Sequence, residues 1–283
     1  MPTSKKPRKL KIADGSAGSK RKRATNTVLP DRRAMEGLLS MFSSGFDPGE
    51  DALENAQDLM YTAWETADRR QRIALAQEAL RQSPLCADAY VLLAEETAQT
   101  PADAIELYRK GMEAGEQAIG PAAFEEDVGH FWGLLETRPY MRARSGLAQA
   151  LWATGHHDEA VGHYRELLRL NPNDNQGNRY LLAGCLLDLD QDAELTTLLD
   201  SYGQECTAEW SYTRALAAYR RDGDTGEART LLKEAGTTNS HVPAYLLGRK
   251  KLPRKPASYI TMGGEDEAQE YARRYAATWA NTK

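Results

Sequence analysis

The chain reads as an all-α solenoid of about five helix pairs, closed by a C-terminal capping helix. Three observations predict this. The stretch Leu147–Pro172, LAQALWATGHHDEAVGHYRELLRLNP, carries small and large apolar residues at helix-turn-helix spacing. Weaker copies of the pattern lie on both sides of it. No segment alternates apolar and polar residues with β-branched enrichment, so no sheet is expected.

The order of elements follows from stripes and stop signals. Residues 1–30 are rich in Lys, Arg, Ser, Gly and Pro, with too little apolar surface to offset ordering entropy, and read as a disordered basic tail. Residues 31–283 read as the helical-repeat domain. A short apolar piece at Met35–Phe42 precedes the turn signals Gly45, Pro48 and Gly49. Leu53–Ala67 and Arg70–Gln82 form the first pair, with Ala76, Ala79 and Leu80 as its packing stripe and Ser83-Pro84 as its stop. Cys86–Thr97 and Pro101–Gly115 form the second, with Ala89, Leu92, Leu93, Ala104, Tyr108 and Met112 inside. Pro101 suits a first helical turn, where its missing N–H costs nothing.

Glu116–Pro139 breaks the period with an aromatic insertion, EEDVGHFWGLLETRP. The third pair is the most regular. Leu147, Ala148 and Leu151 share one face, Gly155 ends the first helix, and Ala160, Tyr164, Leu167 and Leu168 build the facing stripe. Gln176–Leu187 with Asp192–Tyr202 is the fourth pair. Ala208–Arg221 with Thr225–Ala235 is the fifth, its second helix packing through Leu231, Leu232 and Ala235. Then come a short helix at His241–Leu247, an extended stretch enforced by Pro253 and Pro256, and an amphipathic helix at Glu265–Trp279. That last helix is expected to cap the stack, since a terminal repeat must cover its open face.

Charge is unevenly placed. The net of −5 hides nine Lys/Arg against Asp14 alone in residues 1–26, so a tail of +8 leads an acidic remainder of about −13. The three cysteines, Cys86, Cys185 and Cys206, are far apart and lack zinc-ligand spacing, which predicts free thiols in a reducing compartment. No apolar run approaches the ~18 residues of a membrane span, and no apolar segment follows the basic start as a signal peptide requires. A cytoplasmic location is expected, or a nuclear one in a eukaryote, because KKPRKLK…KRKR has the form of a bipartite import signal.

The third pair resembles a tetratricopeptide repeat, whose period is about 34 residues. Two further stretches resemble the suppressor of tumorigenicity protein seven family. One is AYVLLAEE at Ala89–Glu96, followed by DAIELYRKGMEAGE. The other is HVPAYLLGRKKLP at His241–Pro253, followed by GEDEAQEYA at Gly264–Ala272. The chain is also similar to bacterial tetratricopeptide-repeat relatives of that family through ETRPYMRAR at Glu136–Arg144 and NPNDNQG at Asn171–Gly177. The likeness extends over about Asp51 to Trp279. It implies an all-helical repeat protein with no established catalytic activity. Animal members are membrane-associated, a location not carried over to a chain without an apolar span.

Two polar clusters are candidate partner sites. Arg138, Arg142 and Arg144 gather near the start of one helix, and guanidinium groups suit bidentate capture of carboxylate or phosphate. With His130, Trp132 and Glu136 close by, the segment could line a pocket for an acidic peptide end. The structural alternative is an insertion packed into the groove, with Glu136 and Arg138 as an ion pair. Asn173, Asn175, Asn178 and Arg179 make a second polar strip, whose structural alternative is a turn with an N-cap. Arg144, Asn178 and Arg179 are the preferred groove contacts, lying on first helices of adjacent repeats.

Other chemistry finds little support. His156, His157 and His163 match no metal-binding spacing, and His241 reads as structural. There is no GxSxG, no phosphate-binding glycine loop and no Cys–His grouping. Adjacent acids such as Glu95-Glu96 and Glu125-Glu126 point about 100° apart on a helix and do not form an acid/base pair. No cofactor and no metal are expected. The functional expectation is a non-enzymatic scaffold or adaptor holding a protein or peptide partner in the groove of the array. The alternative is a regulatory factor whose basic tail binds nucleic acid without sequence specificity, with strong salt dependence.

Overall fold

The computed structural model describes Arg33, Glu36 and residues 51–282. The basic tail and all of the Met35–Phe42 piece except Glu36 lie outside the described residues. Among the described residues there are thirteen α-helices and no strand. They are α1 (Asp51–Glu65), α2 (Arg69–Gln82), α3 (Ala87–Thr97), α4 (Pro101–Ile119), α5 (Ala123–Glu126), α6 (Arg138–Ala153), α7 (His157–Leu170), α8 (Asn178–Asp188), α9 (Asp192–Ser201), α10 (Ala208–Asp222), α11 (Gly226–Thr238), α12 (Val242–Leu246) and α13 (Glu265–Asn281). Arg33 and Glu36 are helical as well.

Five antiparallel pairs stack in chain order, α1/α2, α3/α4, α6/α7, α8/α9 and α10/α11, each helix packing on the next. First helices also meet one another: α1 touches α3, α3 touches α6, and Ser145 of α6 bonds Asn178 of α8 at 2.9 Å. They therefore form one layer, the inner face of the array. The pairs are the five expected ones, with boundaries moved by a few residues. The largest shift is in α4, which continues past Gly115 to Ile119.

Local chemistry sets the helix ends. Asp68 accepts the N–H groups of Arg70 and Gln71 to start α2. Thr100 and Asp103 form a reciprocal capping box at α4, with Pro101 in its first turn. Thr207 and Thr225 cap α10 and α11 more simply, their hydroxyls accepting the N–H groups of Trp210 and Ala228. Gly155, at φ +85°, provides the left-handed residue that separates α6 from α7.

The third pair forms the centre of the core: Leu147, Ala148, Leu151, Ala160, Tyr164 and Leu167 are all buried. The insertion seals the junction before it. Phe124, Phe131 and Tyr140 form an aromatic triad with ring centroids 5.1 to 6.2 Å apart. Thr137 is buried and donates to the carbonyls of Phe131 and Leu134, while Gly129 N–H reaches Leu170 O at 3.0 Å. Here α4 comes very close to α6, because a Cβ at Gly115 would stand 2.9 Å from that of Tyr140.

At the far end, α13 folds back over the inner face of α10 and α8. Glu267 is its anchor. Its carboxylate accepts Ala208 N–H at the start of α10, Gly263 N–H, and the side-chain amide of Asn239 at 3.0 Å. Tyr212 of α10 stacks against Tyr271 and Trp279 of α13. Leu232, expected inside, is instead 44% exposed: it lines an open cavity between α10, α11 and the end of α13, which Trp279 and Thr282 border without filling.

Two glycines on adjoining helices should respond in opposite senses. Gly115→Ala forces α4 away from α6 and is expected to cost about 1–3 kcal/mol. Gly162→Ala places a methyl in open space on an exposed turn of α7 and should gain up to ~1 kcal/mol from helix propensity. Urea unfolding of the two variants checks this; a neutral Gly115→Ala would refute the close approach.

Candidate docking face and its buried ion cluster

Arg142 lies toward the N-terminal end of the inner face, where α1, α3 and α6 meet. Its Nε and Nη2 bond the two oxygens of Asp88 at 2.7 and 2.6 Å, and its Nη1 reaches Glu36 Oε2 at 2.8 Å. Arg138, one turn earlier on α6, gives Nη1 to the other Glu36 oxygen at 3.1 Å and Nε to Trp132 O at 2.9 Å. Gln57 of α1 donates to Asp88 at 2.8 Å. Asp88 is fully buried, and the side chains of Glu36 and Arg142 are 6% and 9% exposed. Three first helices and the segment bearing Glu36 thus meet at one charge cluster.

Aromatic rings wall it. The Arg142 and Arg33 guanidiniums each lie 5.3 Å from the Trp64 ring, and Arg138 lies 5.3 Å from that of Trp132. Arg33 also pairs with Glu95 at 3.3 Å. Burial alone would lower the Arg142 pKa, but Asp88 and Glu36 more than offset it and push it up. The neighbouring Tyr61 hydroxyl is pushed up to about 12, by burial first and then by Asp88 and Glu36. Cys86, at the N-cap of α3, is likewise raised to about 12 by burial and Asp88, so it is an inert buried thiol.

The sequence-derived candidates have definite places. Arg138 and Arg142 hold Glu36 and Asp88. Arg144 donates to the Tyr140 hydroxyl and lies 5.8 Å from its ring. Asn178 is buried between Ser145 and Gln176. Arg179 bonds Asp174 at 3.0 Å and Glu205 at 2.6 Å, with its guanidinium over Tyr180 and Tyr202. The Asn171–Arg179 strip is an N-terminal lock on α8: Asp174, at φ +46°, accepts the N–H groups of Asn178 and Arg179. Asn173 and Asn175 stay exposed.

Two expectations need correction. Arg138 does not pair with Glu136, which is exposed; its carboxylate comes from Glu36, 102 residues earlier. The helix starts at Arg138, with Pro139 in its first turn. This start turns Arg138 and Arg142 to one face and Arg144 to another. His130 is also exposed, so His130, Trp132 and Glu136 do not gather into a pocket.

The histidines are accounted for individually. His156 Nδ1 is 3.0 Å from the Thr154 hydroxyl, and His157 stacks on Trp152 at 4.2 Å. His163 faces Arg144 and Glu159; burial and the Arg144 charge hold its pKa below the ordinary 6.5 despite Glu159 at 3.9 Å. Among the described residues no three His, Cys, Asp or Glu side chains are grouped to hold a metal ion, and no helix is long and apolar enough to cross a membrane.

The profile of the ST7 protein family matches residues 42–283. The chain belongs to the ST7 family. It is 29% identical over 257 residues to the chicken suppressor of tumorigenicity 7 protein-like, a match covering 81% of this chain and 45% of that protein. The mouse suppressor of tumorigenicity 7 protein is 29% identical over 280 residues, covering 83% of this chain and 48% of that one. The ST7 homolog of Caenorhabditis elegans is 28% identical over 279 residues, covering 81% and 49%. The chain spans about half the length of these curated relatives. Among solved structures it is similar to YrrB, a TPR protein with an unusual peptide-binding site, at 15% identity and a TM-score of 0.47, covering 68% of this chain and 92% of that one.

Sequence reasoning missed Glu36, Asp88, Gln57 and Trp64 in this ST7-family chain. Asp88 did leave a signal, as the lone acid inside the apolar run of CADAYVLLAEE. An acid at that position is buried with the stripe and needs a cationic partner.

Removing one half of the Arg142–Asp88 pair leaves a buried unpaired charge. Asp88→Ala is expected to cost about 3–5 kcal/mol, with much of that recovered in Asp88→Leu/Arg142→Met. A urea double-mutant cycle measures both, and a loss under ~1 kcal/mol for Asp88→Ala would contradict the buried pair.

His163 gives a pH dependence of known sign. Its folded pKa is depressed, so its contribution is complete above the unfolded value of about 6.5 and is lost as pH falls through the folded value. His163→Gln should therefore narrow the drop in urea midpoint between about pH 7.5 and about pH 5.5. An unchanged drop would contradict a depressed His163 pKa in the fold.

Proposed function

We propose that this chain is a non-enzymatic docking scaffold whose inner face takes an acidic segment of a partner protein, with a carboxylate seated on Arg138 and Arg142. One observation carries the reading: those two guanidiniums already hold both oxygens of a single carboxylate, Glu36, contributed from more than a hundred residues away. Asp88 balances only one of the two cations, so the face keeps one positive charge in excess that demands an anion. Trp64 and Trp132 exclude water from the guanidiniums, which strengthens any ion pair made there. The segment bearing Glu36 acts as an internal stand-in, and a partner segment with a Glu or Asp among apolar residues competes for its place. Arg144, Asn178 and Arg179 support the face by fixing α6 and α8.

A labelled peptide of residues 31–43 tests this by fluorescence anisotropy against the full chain carrying Glu36→Arg, which repels its own segment from the arginines. The peptide is expected to bind that variant, and a peptide with Gln in place of Glu36 should bind about ten-fold more weakly, the worth of a charge-assisted bond. Adding Arg138→Gln should weaken the first peptide and not the second. Equal affinity for both peptides would rule out carboxylate capture.

A further inference from the structure

Every residue from Leu247 to Gly263 is exposed, and this loop between α12 and α13 concentrates two properties rarely found together. It holds five cations, Arg249, Lys250, Lys251, Arg254 and Lys255, and no carboxylate. It also carries five of the six exposed large hydrophobic side chains among the described residues: Leu247, Leu252, Tyr259, Ile260 and Met262. Tyr259 is 76% exposed and Met262 66%. Such apolar groups in water carry a standing cost unless something covers them.

The loop is built rather than slack. Lys250 N–H bonds Ala244 O at 2.9 Å, and its Nζ pairs with Glu265 at 2.5 Å. Arg273 of α13 holds Pro253 O at 2.9 Å, and Asp266 accepts from Thr261 N–H and hydroxyl. Pro253 and Pro256 stiffen the stretch between these anchors. Lys250 is thereby structural, while Arg249, Lys251, Arg254 and Lys255 have no ion-pair partner among the described residues and remain available for an external anion.

We propose that the loop Leu247–Met262 seats the protein on an anionic lipid surface. The four available cations meet lipid phosphates, and Tyr259, Ile260 and Met262 enter the boundary between headgroups and acyl chains. Charge complementarity requires an anionic occupant, since the loop is uniformly basic. The apolar groups favour lipid over a folded acidic protein. Side chains of four different shapes, standing clear of the body, would each need a matching pocket on a rigid partner, whereas a fluid surface accepts them together.

The test uses the full chain, sedimented with vesicles of phosphatidylcholine alone or with phosphatidylglycerol. Two loop variants are compared, Arg249/Lys251/Arg254/Lys255→Gln and Tyr259/Ile260/Met262→Ser, with melting curves confirming that the exposed changes leave the fold intact. Partition into phosphatidylglycerol vesicles should fall about ten-fold or more in both variants, and wild-type binding should weaken with salt. The proposal is overturned if the wild-type chain does not sediment, or if either variant binds as wild type, the latter leaving the lysine-rich start of the chain as the attractant. Retention on polyglutamate resin through the loop cations, without vesicle binding, would mark an acidic protein as the occupant and also overturn it.

Discussion

The bidentate pair of Arg142 with Asp88 is the constraint on which the rest of the array depends. It joins α6 to α3 across the insertion, the one place where the repeat period is broken and stacking alone does not dictate the next helix position. A charge pair is a poor source of net stability here, because desolvating both ions offsets most of their attraction. Its strength is selectivity. Any slip of α6 by one residue would leave Asp88 buried without its fork of donors, and that penalty is several times the cost of a misplaced methyl group. The close approach of α4 to α6 at Gly115 adds a steric limit to the electrostatic one, so the third pair has a single seat.

The same cluster also draws in a group from outside the repeat pairs. Arg142 and Arg138 together carry more positive charge than Asp88 can balance, and the chain resolves the excess with Glu36. At the opposite end of the inner face, α13 does an analogous job with other chemistry. Arg274 and Tyr275 both bond Glu209 of α10, at 3.0 and 2.6 Å, and Arg274 also reaches Tyr180 O on α8. Burial raises the Glu209 pKa, and Arg274 opposes that shift. A Cβ on Gly184 of α8 would stand 2.6 Å from the Arg274 guanidinium, so this glycine is what lets α13 lie down there. Both ends of the inner face therefore hold segments of the chain itself, each through a guanidinium–carboxylate contact.

How much of this the sequence disclosed depends on the range of the interaction. Helix pairs were legible because small and large apolar residues recur at local spacing, and the stops at Gly155 and Pro101 act within one turn. Leu147, Ala148, Leu151, Ala160, Tyr164 and Leu167 are buried as their spacing implied. Leu232 was misread because periodicity identifies an apolar stripe but not whether another element arrives to cover it. Arg138 was assigned the nearest acid, Glu136, but that acid sits exposed in the turn before the helix and a distant one takes its place. Guanidinium-rich α6 holds two carboxylates of the chain itself, and which carboxylates they are is tertiary information, absent from any local pattern.

Asn178 and Arg179 show where a polar strip becomes scaffold. Asn178 is buried and its amide is used by Ser145 and Gln176, while Arg179 spans Asp174 and Glu205 with two tyrosine rings against its plane. A ligand reaching either residue would have to break bonds of equal kind before making new ones, so little free energy is left for recognition. Arg138 and Arg142 differ in one respect: part of their satisfaction comes from Glu36, a group outside the repeat pairs, which is what the proposed exchange for a partner's carboxylate requires. The distinction between the two kinds of arginine lies in which end of the ion pair belongs to the stack.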